Sequence, residues 1–182
     1  MGGLKATLAS GNEHKLSELA RALEDCELEL LDAADYPPEE GATYYENALA
    51  KARYGQSIAG GWVLGEDSGI EVEALDGGPG LHSSRGGGSD PHWLLRRLEG
   101  VEERGARYLC ELVALGPEGE ELRGTGILEG RIAEEARGAE GFGFDPVFIP
   151  DGEERTVAEL GNDWKTQNSH RARAARALKE AR

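Results

Sequence analysis

The sequence predicts an α/β protein built on a mixed β-sheet flanked by helices, from three observations. Short apolar runs alternate with longer amphipathic stretches of helical period. The helical stretches carry start and stop signals. The 27 glycines fall in turns and near motifs, not in a low-complexity tract. At 182 residues the chain fits one domain, residues 1–182, large enough to bury a core without disulfide staples.

Leu4–Ala9 reads as a first strand, running into a turn at Ser10-Gly-Asn. A helix from His14 to Leu23 follows, with Leu16, Leu19, Ala20 and Leu23 on one face. Leu28–Leu31 is a second strand, and Pro37-Pro38 keeps residues 35–41 a loop. Thr43 and Glu46 stand at capping-box spacing, so a helix starts there and runs to about Ala59, stopped by Gly60-Gly61. Trp62–Leu64 is a short strand delivering Glu66 and Asp67, and Ile70–Ala74 is another beyond the turn at Ser68-Gly69. Residues 76–88 form a glycine-rich loop, and Asp90-Pro91 opens a short helix through Leu98. Strands near Arg107–Leu115 and Glu121–Glu129 flank the turn 116–119, Arg131–Ala136 continues the sheet, and a last helix occupies most of Asn168–Ala181.

Twenty Lys and Arg stand against 35 Asp and Glu, a net charge of −15. Such a surface repels nucleic acid, whose nonspecific binding depends on neutralised phosphates. It repels a free triphosphate too, so a nucleotide site needs local cations and a metal ion. Two cysteines make no disulfide framework, and Cys110 lies in an apolar run. With no signal peptide and no long apolar stretch, a cytoplasmic protein that does not contact membranes is expected.

Four segments carry chemistry. Ser10-Gly-Asn-Glu-His-Lys15 is a strand-to-helix turn, where N–H groups and the helix dipole favour an anion and Lys15 adds a charge. An ordinary capped helix reads the same way. Glu66-Asp67 supplies carboxylates suited to a hard divalent cation, though a turn satisfying its own backbone is an equal alternative. Glu39-Glu40 offers a further ligand or a plain acidic loop. Gly141-Phe-Gly-Phe-Asp-Pro146 can present a ring for base stacking and Asp145 as acceptor for a purine N–H, with one ring expected in the core. Lys165, His170 and Arg171 suit an anionic or acceptor partner, or form a solvated basic face with Arg173 and Arg176.

Taken together these segments resemble the inosine/xanthosine triphosphate pyrophosphatase family, which hydrolyses noncanonical purine nucleoside triphosphates. The resemblance runs in order through Ala9-Ser-Gly-Asn-x-x-Lys15, Thr43-x-x-Glu-Asn-Ala48 with Lys51-Ala52, and Glu66-Asp-Ser-Gly-Ile70. It continues through Gly77-Gly-Pro-Gly80 to Ser84-Arg85, Gly141–Pro146, Thr156-x-Ala-Glu-Leu160 and Lys165-x3-Ser169-His-Arg171.

The resemblance implies an elongated α/β fold with a long central mixed sheet, two lobes with a substrate cleft between them, and a homodimer. It implies hydrolysis of ITP, dITP and XTP to the monophosphate and pyrophosphate with Mg²⁺. It makes Asp67 general base and metal ligand, with a second ligand at Glu39 or its neighbour Glu40. Ser10, Gly11, Asn12, Glu13, His14 and Lys15 match the triphosphate turn, and Ser68 a substrate contact. Phe142, Gly143, Phe144 and Asp145 match the base-binding loop. Lys165, His170 and Arg171 match substrate contacts, the last two near the base. Donors such as His170 or Arg171 would favour the C6 oxygen of hypoxanthine or xanthine over the amino group of adenine. Two departures stand out: Ser10 where Thr is common, and Glu66 where many bacterial members have Asp. The enzymatic rival is a septum-inhibitor-type nucleotide pyrophosphatase, opposed by the Gly141–Pro146 and Ser169–Arg171 segments. A noncatalytic nucleotide sensor would lack the Asp67 carboxylate.

Overall fold

A computed structural model describes residues 4–84 and 90–181. Six strands form one mixed sheet in the order β2-β1-β3-β4-β5-β6. They are β1 (Leu4–Leu8), β2 (Cys26–Leu30), β3 (Trp62–Val72), β4 (Gly105–Leu115), β5 (Glu121–Ile132) and β6 (Phe148–Pro150). The helices are α1 (Glu13–Ala22), α2 (Tyr44–Ala59), α3 (Pro91–Arg97), α4 (Val157–Leu160), α5 (Asn162–Asn168) and α6 (His170–Glu180). β1 pairs in parallel with both β2 and β3, whereas β5 and β6 run antiparallel. Among the described residues no helix is long and apolar enough to cross a membrane.

The chain divides into two compact units. The first comprises residues 1–67, 110–126 and 170–182. Its main core joins Leu8, Leu19, Leu23, Leu64, Leu112 and Leu178. The second comprises residues 68–109 and 127–169, with a core of Ile70, Leu94, Leu98, Ile132, Phe144 and Phe148.

Caps set several boundaries. The Asn12 side chain accepts from the backbone N–H of His14 and Lys15, starting α1 one residue earlier than its apolar stripe predicts. Thr43 caps α2 through Glu46 N–H. The Glu46 carboxylate reaches back to Ala42 N–H, one residue short of a closed box. The complete capping box is at Thr156 and Glu159, opening the four-residue α4.

The structure departs from the sequence reading in three places. Ser68-Gly69 makes no turn: β3 is one strand of 11 residues, because Gly69 stays extended and the ladder continues through it. The strand then ends at Val72, where a 3₁₀ turn over Glu73–Leu75 takes the place of the last predicted strand residues. β5 extends to Ile132 and absorbs the start of Arg131–Ala136, whose remainder is loop. The predicted last helix is α6, and the unpredicted α5 precedes it across Ser169, which adopts extended backbone (ψ 160°). Of the predicted glycine-rich loop, residues 85–88 lie outside the described residues, as does Arg85 of the Ser84-Arg85 match.

Candidate active site

Glu66 and Asp67 are successive residues of β3, so their side chains leave opposite faces of the sheet. They build two different environments in the first unit and do not act as a pair.

On one face Glu66 is fully buried. Lys15 Nζ, from α1, stands 2.6 Å from its Oε2. Arg171 Nε, from α6, donates to Oε1 at 3.0 Å, and Cys110 Sγ approaches the same oxygen at 3.6 Å. Arg171 Nη1 also donates to Glu18 at 3.1 Å. Burial alone would raise the Glu66 pKa, but Lys15, Arg171 and Lys51 outweigh it and hold the carboxyl well below the usual carboxylate range. Burial likewise opposes the Arg171 charge, and Glu66 and Glu18 more than restore it. Burial pushes the Cys110 thiol well up, so it packs as a neutral side chain. Arg171 reaches this spot because glycine lets α6 lie directly on β5. A Cβ at Gly126 would fall 1.9 Å from His170 O, and one at Gly124 2.1 Å from Ala174 O.

On the other face Asp67 meets α2. Asn47 Nδ2 donates to Asp67 Oδ2 at 2.8 Å, and Lys51 Nζ stands 3.4 Å from Oδ1. Lys51 Nζ also donates to the Glu66 backbone carbonyl at 3.0 Å and to the Glu39 carboxylate. Asn47 and Lys51 are one helical turn apart and so share a face of α2. Gly65 sets the close approach of that face: a Cβ there would sit 1.9 Å from Ala48 O. Burial raises the Asp67 pKa, and Lys51 and the Asn47 hydrogen bond offset it only in part, with Glu39 and Glu66 adding to the rise. Burial also opposes the Lys51 charge, but Asp67, Glu66 and Glu39 overcome it and raise its pKa.

Of the two loop glutamates, Glu39 is half-buried and linked through Lys51 to Asp67, while Glu40 is exposed. Among the described residues no group of three or more His, Cys, Asp and Glu side chains converges as a metal cage. The Glu39–Asp67 pair nevertheless fits Mg²⁺. Its donors are hard oxygens, the Lys51 ammonium shows that both carboxylates converge on a cation, and Mg²⁺ takes only one or two carboxylates beside phosphate and water.

In the turn between β1 and α1, Ser10 Oγ accepts from Asn12 N–H at 3.1 Å. Asn12 Oδ1 accepts from His14 and Lys15 N–H at 2.9 and 3.2 Å. The cap therefore uses donors that an anion would otherwise meet. Gly11, Glu13 and His14 are exposed, while Lys15 is partly buried against Glu66.

In the second unit Asp145 organises the aromatic turn. Its Oδ2 accepts from Phe142 N–H at 2.8 Å and from Lys165 Nζ at 2.6 Å, and Tyr108 Oη lies 3.4 Å from Oδ1. Gly141, at φ 78°, admits that carboxylate, since a Cβ there would fall 2.2 Å from Oδ2. Asp145 thus holds the turn and Lys165 together through its own carboxylate. Phe144 is the core ring, as expected. Phe142 is half-buried, with Lys165 Nζ 4.6 Å from its ring centroid. Gly143 is half-buried at φ 61°, and Ser68 is half-buried on β3. His170 opens α6 and is buried in the first unit with Arg171.

The motif reading gives Asn47 and Lys51 no role, although their i, i+4 spacing on a capped helix ahead of Gly65-Glu-Asp67 is the available signal. Glu66 was grouped with Asp67 there, and the period-two alternation of a strand is what separates them.

Fold and site define a mixed-sheet α/β protein with an ion-paired carboxylate on one face of its central strand and a lysine-bridged carboxylate pair on the other. The chain belongs to the Ham1 family, which it matches over residues 6–181. It is 43% identical to the dITP/XTP pyrophosphatase of Thermus thermophilus across 98% of this chain and 92% of that one. To the enzyme of the same name from Deinococcus deserti it is 40% identical, over 98% and 89%. Among solved structures, the HAM1 protein of Coxiella burnetii superposes with a TM-score of 0.85 at 34% identity, covering 97% of each chain. The dITP/XTP pyrophosphatase of Mycobacterium abscessus gives 0.72 at 41% identity, over 96% and 98%.

Proposed function

We propose that this protein hydrolyses the noncanonical purine nucleoside triphosphates ITP, dITP and XTP to the monophosphate and pyrophosphate, cleansing the nucleotide pool. The observation that carries the reading is the Asp67 carboxylate, buried, raised in proton affinity and bridged by Lys51 to Glu39. Near-full-length likeness to enzymes named dITP/XTP pyrophosphatases supports the substrate class.

Asp67 is the general base. Burial raises its pKa, the direction that favours taking a proton from water. The water attacks the α-phosphorus, the α–β anhydride bond breaks, and pyrophosphate leaves with the bond electrons. Glu39 and Asp67 would hold Mg²⁺, which when bound would neutralise phosphate charge and lower the pKa of water. Lys15, steadied by Glu66, meets negative charge building on the leaving group together with the Ser10–Asn12 backbone, and Lys165 adds a further cation. Ser68 contacts substrate beside the base. Phe142 provides a stacking ring, and Asp145 keeps its turn and Lys165 in place. Arg171 has Nε and Nη1 on carboxylates, so His170 is the side-chain donor to test first for the C6 oxygen. A cytoplasmic homodimer belongs to the same proposal, its stoichiometry open to light scattering.

The test is pyrophosphate release from ITP, XTP, GTP, ATP and dTTP, each with Mg²⁺ and with EDTA. Metal-dependent release from ITP and XTP, with little from ATP or GTP, is expected. Activity confined to pyrimidine triphosphates would replace the reading with the septum-inhibitor-type enzyme, and no activity on any nucleotide with a binding role.

A further inference from the structure

Lys51 has no part in the chemistry above, yet its ammonium sits at the most crowded electrostatic point of the first unit. It comes from α2, is 7% exposed, and reaches three oxygens from two separate segments: the Glu39 carboxylate, Asp67 Oδ1 and the Glu66 carbonyl. All three are hard oxygens, the donor type a divalent cation of the Mg²⁺ class selects. The carboxylates repel one another in a buried setting, and the ammonium stabilises their approach. The helix carrying Lys51 is pinned by the backbone contact at Gly65, so Lys51 can leave the carboxylates only by rotating its own side chain. The Glu66 carbonyl offers a neutral acceptor that it can keep while doing so.

We propose that Lys51 is a built-in counter-cation of the Glu39–Asp67 pair, competing with a divalent metal ion for the same carboxylate oxygens. The proposal rests on the reading of Glu39 and Asp67 as metal ligands. Lys51 keeps the two carboxylates together before metal binds, and metal ligation draws Glu39 out of its grip. Intrinsic metal affinity is thereby held down, so that stable capture of the ion falls to conditions in which substrate phosphates supply the remaining ligands. Lys51 is a positioning residue in this scheme, not a group that touches the reacting atoms.

The test is calorimetric titration of Mn²⁺ into the full-length protein without nucleotide, comparing wild type with Lys51→Met, which keeps the length of the side chain and removes the charge. Removing a positive charge from beside the ion should tighten Mn²⁺ binding by about tenfold or more. It should also lower the melting temperature of EDTA-treated protein and enlarge the rise that Mn²⁺ produces. Equal or weaker binding in Lys51→Met, with wild-type binding intact, overturns the proposal. Wild-type Mn²⁺ binding that neither Glu39→Gln nor Asp67→Asn weakens overturns the ligand reading beneath it, a separate result. Should Lys51→Met fail to fold, a crystal structure of the wild type grown with Mn²⁺ decides. Lys51 Nζ beyond hydrogen-bond reach of Glu39 supports the competition, and an unchanged Lys51–Glu39 contact overturns it.

Discussion

Glu66 and Asp67 are adjacent acids on one strand, both buried, and the structure drives their proton affinities in opposite directions. Glu66 faces two cations directly, Lys15 and Arg171. Asp67 shares a single cation with Glu39 and relies on Asn47 for its second oxygen. Burial acts on both; the supply of positive charge decides the outcome. A carboxylate with surplus cations is locked as an anion and serves as scaffold. A carboxylate with a shared cation keeps a raised proton affinity, which is why the proposed function gives the chemistry to Asp67.

The largest expected effect falls on the scaffold side. Arg171→Ala leaves Glu66 charged and buried with one direct partner fewer, and breaking such a buried pair costs about 3–5 kcal/mol. A urea midpoint close to wild type would mean that Lys15 alone neutralises Glu66. On the second unit, Phe142→Ala should raise KM for ITP with kcat nearly unchanged, because stacking of a base is worth about 1–3 kcal/mol. An unchanged KM would move the base away from that ring. Next, Gly65→Ala drives a methyl group toward Ala48 O and should cost about 1–3 kcal/mol by overpacking. Because the shift of α2 carries Asn47 and Lys51 away from Asp67, turnover per folded molecule should fall as well, and loss of stability without loss of turnover would separate packing from the site.

The smallest effect is in pH dependence, and its sign differs for the two acids. Glu66 has a depressed folded pKa, so its contribution is complete above its ordinary value of 4.5 and is lost as pH falls through the lower folded value. Asp67 has a raised folded pKa, so its contribution is present below its ordinary value of 3.8 and is lost as pH rises through the folded value. Denaturant melts across acid and neutral pH should therefore show Glu66→Gln flattening the acid limb, and Asp67→Asn as stable as wild type at pH 7 or slightly more so. A loss of neutral-pH stability in Asp67→Asn would reverse the assignment of strain.

Much of the frame was legible in the sequence because its signals are local. The Thr43 cap, the Gly60-Gly61 stop and the apolar stripe of α1 each act within a few residues. The continuation of β3 through Ser68-Gly69 was hidden, since glycine permits a turn without requiring one and the sheet ladder decides. The short helix α5 was hidden as well, since its N-cap Gly161 offers no side-chain hydrogen bond to announce it. At the candidate site, the motifs pointed to Asp67, Lys15 and the Phe142–Asp145 turn, but the partnerships are long-range. Arg171 meets Glu66 across 105 residues of sequence, and Lys165 meets Asp145 across 20. Nothing local told that these cations serve carboxylates of the protein itself.

The most direct test of the division between the two acids is ITP turnover per folded molecule in Asp67→Asn and Glu66→Gln, with Mg²⁺, alongside their urea midpoints. Asp67→Asn should stay folded and lose about a thousandfold or more in kcat, the scale of a removed general base. Glu66→Gln should be clearly less stable while its folded fraction still turns over within about tenfold of wild type. Robust hydrolysis by Asp67→Asn, or an inactive but fully stable Glu66→Gln, would contradict the account.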